Sequence, residues 1–172
     1  MQNRKAGQKI QEASNNFSTT TKEILIADAG VQDLDTLLEG LNSGISVCLV
    51  SPGEDAIEKI IEALAISGLK TLHLLAHGAP GEIRLGGKAI TAAAFRRRFD
   101  GAADRDLDIA FWSCRTGSGD AGRSFVEAVA EATGARVAAT DGLVGNAQKG
   151  GNWDLNVTVK APFSASALDA FE

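Results

Sequence analysis

The chain has two histidines and two cysteines, and one of each stands where a turn must begin. His77 closes an apolar run over residues 72–76 and opens into Gly78-Ala79-Pro80-Gly81. Cys114 follows a second run over 109–112 and opens into Arg115-Thr116-Gly117. A thiol with a free pKa of ~8.5 is only a few per cent thiolate at neutral pH; a neighbouring imidazole raises that fraction and relays the proton. Gly78 lets backbone approach a bound carbonyl closely, and the N–H groups of Gly78 and Cys114 would serve as oxyanion donors. These residue types at these places point to a His77/Cys114 dyad for nucleophilic attack.

Three other patterns compete with it. Gly117, Gly119 and Gly122 match G-x-G-x-x-G at the opening of a helix, with Asp141 about 20 residues further on, the context of a dinucleotide site. Against this, Ser113 to Thr116 separate the strand from the first glycine, and Asp120 puts a negative charge where a pyrophosphate would rest. His73 and His77 would share a helical face and bind zinc, but on a strand they lie roughly 13 Å apart, so no metal site is expected and His73 reads as a structural residue. Arg96, Arg97 and Arg98 read as a solvated basic face, and Cys48, inside an apolar run, as core.

The elements that position these residues alternate along the chain. Apolar runs at 23–28, 45–50, 70–76, 107–112 and 136–140 read as buried strands, and residues 153–159, with Trp153, Leu155, Val157 and Val159 alternating, as a sixth. Helical spacing recurs at 31–41, 55–66 and 120–133, the last closed by Gly134. A short hairpin is expected at 81–87, and then a helix capped by Thr91 that carries Phe95 and Phe99. Such alternation predicts an α/β domain with a mostly parallel sheet, its ligands beyond the carboxyl ends of the strands. Asp28 and Asp141 end strands on that side.

The order of apolar strand, His77-Gly78, apolar strand, Ser113-Cys114 resembles the caspase-like cysteine peptidase superfamily. It is similar in particular to the caspase-like domain found near the N-terminus of large bacterial surface and repeat proteins, over about residues 23–155. The resemblance implies a three-layer sandwich on a six-stranded sheet of order 2-1-3-4-5-6 with the last strand antiparallel. It implies His77 as base and Cys114 as nucleophile. In that order Cys48 and Cys114 are too far apart for a disulfide. Arg115 departs from the asparagine that often follows the family's cysteine. In the caspase-like arrangement the pocket for the residue before the cut bond is bounded by strand ends, which here offer Asp28 and Asp141, with Asp120 nearby. Carboxylates there would favour Arg or Lys, and Lys22 and Lys160 would be self-processing points. The alternatives are a catalytically silent caspase-like binding module and the dinucleotide enzyme.

Composition narrows the field further. The 172 residues suit one domain, divided as a polar N-terminal tail (1–21), the α/β domain (22–160) and a C-terminal tail (161–172). A net charge of −5 argues against a nucleic-acid partner. Two cysteines exclude a disulfide scaffold. No run approaches the ~18–20 apolar residues of a membrane span, and no cleavable leader is visible. A cytoplasmic protein that needs no cofactor and acts on a peptide or protein is expected, with signal-less export left open.

Overall fold

The computed structural model describes residues 17, 18 and 20–172; the stretch 1–21, expected to be a tail, lies almost wholly outside them. In chain order the elements are β1 (Glu23–Asp28), α1 (Leu34–Glu39), β2 (Ile45–Val50), α2 (Ala56–Leu64), β3 (Thr71–Leu75), β4 (His77–Ala79), β5 (Glu82–Leu85), β6 (Lys88–Thr91) and α3 (Ala92–Arg98). There follow β7 (Asp108–Trp112), α4 (Gly119–Thr133), β8 (Arg136–Ala138), β9 (Leu143–Val144), β10 (Gly151–Asn152) and α5 (Ala165–Ala170).

Five strands form the central sheet in the order β2-β1-β3-β7-β8, and every neighbouring pair is parallel. Parallel strands with both faces covered must be apolar on successive residues, and Ile24, Leu25, Ile26 and Ala27 of β1 are all fully buried. Their alternation divides the core. Ile24, Ile26, Leu72, Leu74, Ile109 and Phe111 pack with Ile60 of α2, Phe95 of α3 and Phe125 of α4. Leu25, Ala27, Leu75, Ala110 and Trp112 pack on the other face with Leu34, Leu37 and Leu38 of α1 and Ala167 of α5. The chain is thus an α/β fold with helices on both faces of a parallel sheet.

The expected sixth strand is corrected by the structure. Residues 153–159 form no strand. They touch the sheet's edge through Asn156, whose N–H donates to Ala139 O and whose Oδ1 accepts from Ala139 N, both at 2.9 Å. Trp153, Leu155, Val157 and Val159 instead lay their side chains on the second core layer. A two-residue period reports alternate burial, and an extended segment draped over a face produces it as readily as a laddered strand. Residues 161–172, expected to be a tail, pack onto the domain. Phe163 is buried and bridges to Leu41, Ser164 caps α5 by accepting from Ala167 N, and Ala167 is buried against α1's layer.

The glycines of the G-x-G-x-x-G segment serve packing. Gly119 sits at φ +64°, and Gly117 donates to Thr140 O at 2.9 Å. A Cβ on Gly122 would lie 2.1 Å from the carbonyl carbon of Gly117. Helix α4 therefore starts in backbone contact with the loop after Cys114, and that contact tolerates only hydrogen at position 122. Gly122→Ala is expected to destabilise the fold by about 1–3 kcal/mol. The melting temperature would fall by roughly 3–10 °C, as measured by thermal denaturation.

Candidate functional site

Register decides which side chains can meet. Leu75 of β3 is paired with Trp112 of β7, and Ala76 N donates to Trp112 O at 3.3 Å. His77 and Cys114 are each two residues beyond that pair, so they follow the ends of adjacent strands that lie ~4.8 Å apart. The next residue closes the gap. A Cβ on Gly78 would stand 2.6 Å from Cys114 O and 2.4 Å from Thr116 Oγ1. The backbone behind His77 therefore rests on the loop after β7, as only glycine permits.

That loop is braced from several sides. Ser113 Oγ and Thr116 Oγ1 share a hydrogen bond of 2.6 Å, and Thr116 Oγ1 donates to Glu82 O at 3.2 Å. Gly81 N donates to Thr116 O, and Arg115 N to Gly142 O. Arg115 sits at φ +59°, in a region that costs a non-glycine residue roughly 1–3 kcal/mol and that asparagine accepts more readily. The Cys114 N–H takes no acceptor among the described residues.

His77 and Cys114 line one cavity of about 210 Å³ together with Val31, Trp112, Val144, Trp153 and Phe171. They are not hydrogen-bonded to each other; the Cys114 thiol donates to Val144 O at 3.7 Å. Catalytic contacts often tighten only on substrate binding. His77 is exposed and Cys114 half-buried. Cys48 is buried, and burial pushes its thiol pKa up. Both cysteines are free, as expected.

The three expected carboxylates do not join this cavity. Asp28 is 7% exposed; its Oδ1 accepts from Gly30 N at 2.6 Å and its Oδ2 from Gly86 N at 2.8 Å. It ties the β5–β6 turn to the end of β1. Asp120 is exposed and paired with Arg123 one turn along α4. Asp141 is exposed in the loop after β8. No group of three or more acidic, histidine or cysteine side chains suited to a metal occurs among the described residues.

Reasoning from the sequence missed the aromatic wall. Trp112 and Trp153 have ring centroids 6.0 Å apart, and Trp153 meets Phe171 edge-on at 5.6 Å. Behind them His73, 1% exposed, accepts from Trp112 Nε1 at its Nδ1 (3.0 Å) and reaches Glu23 Oε2 with Nε2 at 3.4 Å. That contact holds the Glu23 carboxyl below its ordinary range. His73 is structural, as expected.

The profile of a family described as a domain of unknown function, DUF4347, matches residues 24–172. The chain belongs to this family. The DUF4347 match takes in the C-terminal segment as well as the sheet. No curated protein and no solved structure matches the chain. No helix of this DUF4347 domain is long and apolar enough to cross a membrane among the described residues.

Two measurements test this geometry. Asp28→Asn replaces one acceptor oxygen with a donor facing an N–H, so urea denaturation is expected to show a loss of about 1–3 kcal/mol; a substrate contact alone would leave stability unchanged. Alkylation of the native protein is expected to modify Cys114 first and Cys48 only after unfolding, as read by peptide mass spectrometry.

Proposed function

We propose that this DUF4347 domain is a caspase-like cysteine endopeptidase with Cys114 as nucleophile and His77 as general base. The observation that carries the reading is the shared cavity. Two strand exits in register bring one imidazole and one half-buried thiol to the same 210 Å³ space. The order β2-β1-β3-β7-β8 supports it too, since it agrees with the first five places of the sheet that the resemblance implies.

In the proposed reaction His77 takes the thiol proton and Cys114 Sγ attacks the peptide carbonyl carbon. The carbonyl oxygen becomes an oxyanion, held by the Cys114 N–H, which is free of protein acceptors among the described residues, and by Gly78 N–H. As the C–N bond breaks, His77 returns the proton to the leaving amine and a thioester remains. A water, deprotonated by His77, then hydrolyses the thioester; the peptide acid leaves and the thiol is restored. Arg115 in its left-handed conformation and the Ser113–Thr116 bond brace the loop around Cys114.

A second reading, a silent caspase-like binding module, is favoured by one observation: the thiol donates to Val144 O rather than to His77. Activity separates the two. Cys114→Ala and His77→Ala are each expected to lower peptide cleavage at least about 10³-fold with an unchanged far-ultraviolet circular dichroism spectrum. Activity surviving in Cys114→Ala would refute the peptidase reading.

A further inference from the structure

We propose that the cavity beside Cys114 selects a bulky apolar side chain, aromatic above all, at the residue preceding the bond to be cut; this rests on the peptidase reading above. The walls that fix its character are Val31, Trp112, Val144, Trp153 and Phe171. An apolar cavity of about 150 Å³ already holds a benzene molecule, so 210 Å³ accepts one aromatic side chain. Trp153 and Phe171, which meet edge-on, and the buried Trp112 behind them give such a ring an apolar wall to pack on.

A charged side chain has little to meet there. Asp28 spends both oxygens on backbone amides, and Asp120 and Asp141 face solvent elsewhere. Among the described residues the one lining carboxylate side chain is that of Glu172, which is exposed. Recognition of a cation by aromatic faces needs an open face. Trp112 is fully buried, with His73 held against its edge by the Nε1 hydrogen bond. Trp153 is partly buried, with Trp112, Phe163 and Phe171 against it. A guanidinium or ammonium entering this space would give up water without a buried carboxylate to meet it among the described residues. The Arg or Lys preference expected from three carboxylates therefore gives way to an apolar one.

Phe171 is positioned to set the pocket's depth. Its carbonyl accepts from Asn146 Nδ2 at 2.9 Å and its N–H donates to Ala167 O, which anchors it at the end of α5.

The cavity carries its own reporter, because Trp112 and Trp153 are the chain's two tryptophans. Cys114→Ala protein is titrated with N-acetyl-Ala-Ala-X-Ala-Ala-amide peptides, X being Phe, Leu, Arg, Lys or Asp, while tryptophan fluorescence is followed. The wild type is incubated with the same peptides and its products are mapped by mass spectrometry. Phe and Leu peptides are expected to bind at least about tenfold more tightly than the charged ones, and cleavage to follow X in the same order. Selective binding of Phe and Leu without cleavage by the wild type would leave the pocket standing and sink the peptidase reading. Cleavage after Arg, Lys or Asp would overturn the pocket while the peptidase reading stands. Equal binding of all five peptides, or of none, would overturn the pocket as well.

Discussion

The contact of Gly78 with the carbonyl of Cys114 and the hydroxyl of Thr116 joins the two halves of the site. Parallel pairing alone brings two strand ends to the same level, but chains leaving a sheet ordinarily diverge into separate loops. Here β4 turns directly over the loop after β7 because no side chain intervenes at position 78. The β4–β5–β6 sheet is then held on that loop by Thr116, which bonds Glu82 O and accepts Gly81 N through its own carbonyl. A methyl group at position 78 would push the hairpin off the loop and carry His77 away from Cys114.

Further constraints freeze what that contact sets up. Asp28 draws the amides of Gly30 and Gly86 onto one buried carboxylate, so the hairpin is fixed at its far turn as well. Arg115 accepts an unfavourable backbone conformation, and its amide is fixed to Gly142 O. Strain of that kind persists only where surrounding bonds over-determine it, and the Gly117–Thr140 and Ser113–Thr116 bonds supply that surrounding. The Cys114 position is therefore braced from behind and borders the cavity in front.

Much of the fold was legible because buried parallel strands leave a strong mark. Ile24-Leu25-Ile26 and Leu72 through Leu75 are runs that no half-exposed element would carry. The strand-end placement of His77 and Cys114 followed from the same runs. Residues 153–159 misled because alternation records which side chains are buried, not what the backbone pairs with. The C-terminal segment did carry a signal: Phe163, Ala167, Leu168 and Phe171 recur at helical spacing behind Ser164. Asp28 was legible as a strand end, yet its second partner, Gly86, lies 58 residues away and leaves no local trace. The aromatic wall was hidden for the same reason, since Trp112, Trp153 and Phe171 meet only once the chain has folded.

The docking of α5 also bears on how the domain is made. The layer holding Leu25, Leu75 and Trp112 is completed by Phe163 and Ala167, more than 130 residues after β1 in synthesis order. While the nascent chain still lacks that segment, the first face of the sheet can assemble with α2 to α4, but the second presents apolar side chains to water. Such half-covered intermediates are prone to association. A chain folded from β1 to β8 but lacking Phe163 and Ala167 would therefore carry a complete parallel sheet with one incompletely covered side.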